Sequence, residues 1–148
     1  DWGYIARVRD WWGGTLILKG IMDPEDAKQA GKIGADAIVV SNHGGRQLDG
    51  AESSIAMLPE VVAAVGNEID VWMDSGVRSG QDVLKAIALG AKGVMIGRAF
   101  IYALGANGKQ GVSDALHIIH KELDYTMAMC GHRDIHNVDR QILRNCPF

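Results

Sequence analysis

A polar segment of the sequence, SNHGGRQ at residues 41–47, directly follows the most apolar run of the chain. It contains His43, and histidine is the side chain best suited to moving a proton near neutral pH. Arg46 carries a planar guanidinium that can bind a carboxylate through two parallel hydrogen bonds. Gly44 and Gly45 between them let the backbone turn sharply and approach a flat ligand. We therefore expect proton transfer on a carboxylate-bearing substrate here, rather than a loop whose His and Arg are only solvated.

Lys19 is a second candidate because it ends an otherwise apolar run that begins at residue 15. A lysine in this position either extends along the apolar surface to reach solvent or holds a fixed positive charge beside a group that becomes negative. The residues alone leave both interpretations open.

Glycines and arginines also follow the last two apolar runs, in DSGVR at 74–78 and in Gly97-Arg98. In barrel enzymes the loops after the last two strands commonly bind phosphate through backbone amides and arginine side chains. Asp74 could accept hydrogen bonds from sugar-like hydroxyls. The alternative is that Asp74 caps a helix while Arg78 and Arg98 form ion pairs on the surface.

Histidines and cysteine near the end of the chain have a spacing that superficially suggests a metal site. Cys130, His132 and His136 form one such group, and His117 with His120 forms another. Neither supplies the roughly four ligands that zinc signatures need. We expect no metal site.

The elements that must position these side chains follow from the apolar patterning. Four short apolar runs rich in β-branched residues predict strands buried on both faces, at 15–19, 35–41, 69–74 and 93–97. A helical pattern follows each run, with capping signals at Asp23 and Ser79 and apolar faces over 55–65 and 112–127. Residues 1–12 predict one more helix. Such alternation predicts parallel strands joined by crossover helices.

Two architectures fit this alternation: a doubly wound sheet and part of a (β/α)8 barrel. No GxGxxG follows the first strand, which disfavours a Rossmann domain. A complete barrel needs about 250 residues, whereas this chain has 148. The sequence therefore predicts an α/β fold, half of a TIM barrel with about four parallel strands and outer helices, spanning 1–148.

Composition narrows the function classes. The formal net charge of −3 argues against a nucleic-acid-binding protein, which usually carries a basic stripe. No apolar run approaches the roughly 18 residues that a membrane-spanning helix needs, and no signal-peptide pattern is present. Two cysteines, Cys130 and Cys146, favour a reducing compartment over a disulfide framework. We expect a cytoplasmic protein.

Taken together, ILKG at 17–20, SNHGGRQLDG at 41–50, DSGVR at 74–78 and Gly97-Arg98 resemble the FMN-dependent α-hydroxy acid oxidising family. This family includes glycolate and lactate oxidases, L-lactate dehydrogenases and mandelate dehydrogenase. The resemblance runs along nearly the whole chain. Residues 97–104 are most similar to the bacterial lactate and mandelate dehydrogenase branch.

The resemblance implies a bound FMN and a role for each candidate. His43 would be the active-site base and Arg46 would bind the substrate carboxylate. Lys19 would face the N1/O2 edge of the flavin and stabilise the anion formed on reduction. The remaining FMN contacts would come from Ser41 at the ring, Asp74 at the ribityl hydroxyls, and Gly76, Arg78, Gly97 and Arg98 at the phosphate.

The resemblance also implies that the chain is the C-terminal part of the barrel, strands five to eight. The first half would supply other substrate-binding residues, so we expect the chain alone to be inactive. The expected reaction oxidises a small L-2-hydroxy acid, foremost L-lactate. The electron acceptor stays open between a quinone, a cytochrome and oxygen, the last making the enzyme an oxidase. A third alternative is an inactive half-barrel that only binds phosphate or flavin. We expect the full-length protein to be a homo-oligomer, either free in the cytoplasm or peripheral at the inner face of the plasma membrane.

Overall fold

The computed structural model describes residues 1–144; Cys146 lies outside them. Helices and strands alternate from the first helix onward. In chain order they are α1 (Trp2–Trp11), β1 (Ile17–Ile21), α2 (Pro24–Ile33), β2 (Ala37–Val40), α3 (Ser54–Val65), β3 (Asp70–Met73), α4 (Gly80–Ala88), β4 (Gly93–Val94) and α5 (Arg98–Met129). Three short 3₁₀ turns cover His43–Gly45, Ile135–Asn137 and Arg140–Ile142. None of the described helices is long and apolar enough to cross a membrane.

The four strands form one parallel sheet in the order β1-β2-β3-β4. The predicted parallel α/β architecture is therefore confirmed. The register places Lys19 beside Val39, Val39 beside Trp72, and Trp72 beside Gly93. Because the strands are parallel, the segments that follow them, including residues 41–47 and 74–78, all leave the sheet at the same edge.

The helices cover one face of this sheet. The core contains Ile38 and Val40 of β2 and Val71 and Met73 of β3, packed with residues of α2, α3 and α4 such as Ala27, Ala30, Leu58, Val61 and Ala86. On the opposite face of the sheet, Ile17 is 51% exposed and Trp72 is 37% exposed. Lys19 projects on this same open face, since side chains alternate along a strand.

Capping residues fix where the helices begin, as the sequence predicts. The Asp23 carboxylate accepts hydrogen bonds from the amides of Glu25 and Asp26 at the start of α2. Ser79 and Asp82 form a reciprocal capping box at the start of α4. These caps set the direction in which α2 and α4 leave the loops after the strands.

The structure corrects the prediction at the last strand and helix. β4 pairs with β3 only over Gly93–Val94, whereas the apolar run predicts a strand to residue 97. α5 begins at Arg98, ahead of the 112–127 pattern, and its backbone is non-helical at Asn107 and Gly108. The break lets the chain fold back on itself so closely that a Cβ on Gly111 would overlap the carbonyl of Ala103. The apolar residues beyond this break follow a helical spacing in a new phase. The 112–127 pattern therefore indicates only the second part of α5.

Candidate active site

The turn that carries His43 begins two residues after the end of β2, at Asn42. Its backbone is left-handed at three successive residues, with φ values of 57° at His43, 69° at Gly44 and 72° at Gly45. Side-chain oxygens hold four consecutive amides of this turn. Asn42 N donates to Ser54 Oγ (3.1 Å), His43 N to Ser41 Oγ (3.2 Å), Gly44 N to Ser75 Oγ (3.0 Å) and Gly45 N to Asn42 Oδ1 (3.2 Å).

Lys19 lies in a polar cluster at the same edge of the sheet. Its Nζ is 2.9 Å from Asp74 Oδ2 and donates to Ser41 Oγ at 3.0 Å. Ser41 is only 1% exposed. The ammonium is therefore held in place between two strand ends, which favours the fixed-charge interpretation over a lysine that extends to solvent.

The surroundings of Asp74 keep its carboxylate ionised. Burial acts to raise the pKa of Asp74, but hydrogen bonds from Ser41, Lys19 and Ser75, together with the charge of Lys19, outweigh it and hold that pKa below its ordinary value. The side chain of Asp74 is 17% exposed. An ionised carboxylate beside an ammonium can accept further hydrogen bonds from ligand hydroxyls.

The imidazole of His43 packs directly against the backbone of β1. Gly20 has a φ of 100°, and a Cβ placed on it would lie 2.7 Å from His43 Cε1. The pairing of β1 with β2 shifts register between Lys19 and Ile21, at this glycine. Gly20 thus brings the His43 imidazole next to the strand that carries the Lys19 ammonium.

A cavity of about 430 Å³ opens beside this cluster. The loops after β2 and β3 and the first residue of α5 contribute to it, and its lining includes Gly44, Gly45, Ser75, Gly76 and Arg98. Arg98 also donates from Nη2 to the carbonyl oxygen of Gly44 at 3.2 Å. Glycine backbone with one guanidinium is a surface suited to a phosphate group.

The structure thus brings together most of the residues singled out from the sequence. Lys19, Ser41 and Asp74 are in mutual contact, and Gly76 and Arg98 line the cavity. The cavity lining does not include Gly97 or Arg78, whose backbone amide donates to Asp82. Arg46 is exposed just beyond the His43 turn. Within residues 1–144 no group of three or more His, Cys, Asp or Glu side chains is arranged to hold a metal ion.

The sequence prediction assigns no role to three residues of this site: Asn42, Ser54 and Ser75. Asn42 has a sequence signal, since asparagine commonly hydrogen-bonds the backbone of a following turn. Ser54 and Ser75 lie 12 and 31 residues from the amides they accept from. No local pattern indicates contacts of this kind.

The chain is similar in sequence and in structure to known FMN-dependent proteins. A family described as FMN-dependent dehydrogenases matches residues 1–145. The chain belongs to this family. Curated relatives include an L-lactate dehydrogenase of Caulobacter sp. (strain K31), 56% identical over 143 residues, and one of Azorhizobium caulinodans, 50% identical over 147. The match to the Caulobacter protein covers 97% of this chain but 38% of that protein. The match to the Azorhizobium protein covers 99% of this chain and 39% of that protein.

Solved structures of family members show the same fold. A mandelate oxidase crystallised with benzoyl-formic acid superimposes with a TM-score of 0.91 at 46% identity, covering 95% of this chain and 42% of that one. A mandelate oxidase variant with a monooxide FMN adduct gives the same score and identity. The four strands and outer helices of this FMN-dependent dehydrogenase chain therefore form part of a (β/α)8 barrel, as predicted.

Proposed function

We propose that the chain is the C-terminal part, strands five to eight, of an FMN-dependent enzyme that oxidises a small L-2-hydroxy acid, foremost L-lactate, to the 2-oxo acid. The observation that carries this proposal is the convergence, at one edge of the sheet, of the His43 turn, the Lys19–Asp74 pair and the cavity reached by Arg98. The names of the curated relatives support the choice of L-lactate.

The residues present fit FMN. The cavity offers glycine backbone and the Arg98 guanidinium to a phosphate, with Arg78 and Gly97 adjoining it in the chain. Asp74 offers carboxylate oxygens to sugar hydroxyls, and Lys19 Nζ contacts both Asp74 Oδ2 and Ser41 Oγ. Asp82 also lines the cavity, but one of its oxygens accepts from the amides of Arg78 and Ser79. When bound, FMN would accept the two electrons that leave the substrate.

Each protein side chain then has a defined task. Arg46 binds the substrate carboxylate through its guanidinium fork, which orients the 2-hydroxyl-bearing carbon. The imidazole of His43 takes one proton from the substrate, whichever of its bonds to hydrogen breaks first. Lys19, fixed by Asp74 and Ser41, places a positive charge where negative charge grows during the reaction.

The test replaces His43 and Arg46 in the complete polypeptide and follows flavin bleaching by L-lactate under anaerobic conditions. His43→Gln keeps the approximate size but removes the titratable nitrogen, so flavin reduction should slow by at least about 10²-fold. FMN content should be unchanged, since Lys19, Asp74 and Arg98 are untouched.

Arg46→Lys is the matched variant because it keeps the positive charge and loses the fork. It should weaken L-lactate binding as well as slow reduction. Near-normal reduction by the His43→Gln enzyme would show that the histidine is structural and would refute the assignment of the base.

A second candidate function applies to the 148-residue chain on its own: an inactive half-barrel that binds phosphate or flavin. The exposure of Ile17 and Trp72 on the open face favours it, because the barrel interior has no second wall in residues 1–144. A yellow preparation of this chain that L-lactate bleaches would refute inactivity, whereas a colourless one that binds phosphate would support it. Reoxidation of the complete enzyme by oxygen would separate an oxidase from a dehydrogenase.

A further inference from the structure

Ser75 adopts a backbone conformation that its side chain disfavours. Its φ is 74°, and within residues 1–144 only His43 and Ser75 combine a positive φ with a side chain. In the left-handed region the Cβ of an L-residue crowds the following carbonyl, and glycine avoids this crowding. Non-glycine residues held in such conformations cluster at functional sites. The hydrogen bonds of the Ser75 hydroxyl explain why a serine occupies this strained position.

The Ser75 hydroxyl joins two parts of the active site. Its Oγ accepts from Gly44 N at 3.0 Å and donates to Asp74 Oδ1 at 2.8 Å. The other oxygen of Asp74 contacts Lys19 Nζ. One hydroxyl therefore links the amide next to His43 with the carboxylate that holds Lys19.

This contact differs from the other three that hold the His43 turn. Ser41 and Asn42 act from within the same segment, and Ser54 holds Asn42 at the entry of the turn. Ser75 alone among the four reaches the turn from the loop after β3. Ser41 Oγ, which accepts from His43 N, also hydrogen-bonds Lys19 and Asp74, so Ser75 is the second link between the turn and the Lys19–Asp74 pair and the one that acts at Gly44.

We propose that Ser75 is a positioning residue: its hydroxyl fixes the His43–Gly44 turn relative to the Lys19–Asp74 pair. The proposal rests on the proposed function in taking His43 as the base. Loss of the hydroxyl leaves the Gly44 amide without its acceptor and lets the imidazole leave the geometry needed for proton transfer. Because misplacement by about 1 Å can slow catalysis by about 10²-fold, we expect about a 10-fold loss for a turn that is loosened but not displaced.

The experiment compares Ser75→Ala with Ser75→Gly in the complete, FMN-loaded polypeptide. Both remove the hydroxyl, but only glycine also removes the left-handed strain. Ser75→Gly should therefore melt at a higher temperature than Ser75→Ala. The two variants separate an effect on stability from an effect on positioning. Ser113→Ala is the control, since the exposed Ser113 hydroxyl donates only to Lys109 O within its own helix.

Two measurements are made on each variant. The limiting rate of anaerobic flavin reduction by L-lactate should fall about 10-fold in both Ser75 variants, while the L-lactate concentration for half-maximal rate changes less than about 2-fold, because Arg46 is untouched. Amide hydrogen exchange in a peptide covering residues 42–46 should accelerate equally in both Ser75 variants. Ser113→Ala should match the unchanged protein in both measurements.

Unchanged hydrogen exchange at residues 42–46 in the Ser75 variants would overturn the proposal. A Ser75→Gly enzyme that is reduced at the normal rate, while Ser75→Ala is slow, would also overturn it, because backbone strain alone would then explain the loss. Failure of the unchanged enzyme to be reduced by any 2-hydroxy acid would refute the proposed function instead. The exchange measurement needs no substrate and decides the role of Ser75 in that case too.

Discussion

Gly20→Ala tests whether the contact between β1 and His43 sets the position of the base. A Cβ at this position would lie 2.7 Å from His43 Cε1, whereas carbon atoms in contact are about 3.5–4.0 Å apart. The imidazole must therefore retreat by about 1 Å, a misplacement that can cost about 10²-fold in rate. The φ of 100° at Gly20 adds backbone strain of about 1–2 kcal/mol. We expect a folded but less stable enzyme with about 10²-fold slower flavin reduction.

Gly131→Ala is the matched control for this variant. Gly131 also has a positive φ, of 79°, but a Cβ there meets nothing within 4 Å. It should therefore lose stability through strain and keep its reduction rate. The assay is anaerobic stopped-flow bleaching of the complete enzyme by L-lactate, with urea unfolding measured in parallel. A Gly20→Ala enzyme that is reduced as fast as Gly131→Ala would refute the inference that this glycine positions His43.

Two further predictions concern the stability of the fold. Because hydrogen bonds and Lys19 lower the pKa of Asp74 on folding, its carboxylate stabilises the protein above its ordinary pKa of 3.8, and that contribution is lost as the pH falls through the lower folded-state value. The urea concentration at half-unfolding should therefore decrease as the pH is lowered below about 4, and the Asp74→Asn variant should show a weaker pH dependence. An equal pH dependence in the two proteins would contradict the stabilising contact between Lys19 and Asp74. A Cβ on Gly80 would overlap backbone atoms of Glu122 and Leu123 in α5, and Gly80 N donates to Glu122 Oε2 at 2.9 Å. Gly80→Ala should cost about 3 kcal/mol or more of unfolding free energy. The control, Gly105→Ala, has nothing within 4 Å of its Cβ and should not destabilise the protein. Equal urea midpoints for the two variants would show that α4 and α5 are not in close contact.

Local signals were sufficient to predict the strand and helix order. The strands are marked by apolar runs of four to six residues, and a helical pattern follows each run. These signals involve only residues that are close in sequence, and the caps at Asp23 and Ser79 form as expected. The residue types of the SNHGGRQLDG segment also predict a base beside a carboxylate-binding group, and these two roles stay predictions. Periodicity failed at β4 and the start of α5, because the length of an edge strand depends on its single partner and the backbone break at Asn107 changes the phase of the helix.

Only the tertiary structure decided how the candidate residues act on one another. Lys19 and Asp74 are far apart in sequence and meet because parallel register aligns the ends of β1, β2 and β3. That contact favours a fixed charge at Lys19 over a side chain that extends to solvent. Ser75 reaches Gly44 for the same reason. Residue types determine which chemistry is available, whereas hydrogen bonds between loops depend on strand register, which sequence spacing does not encode.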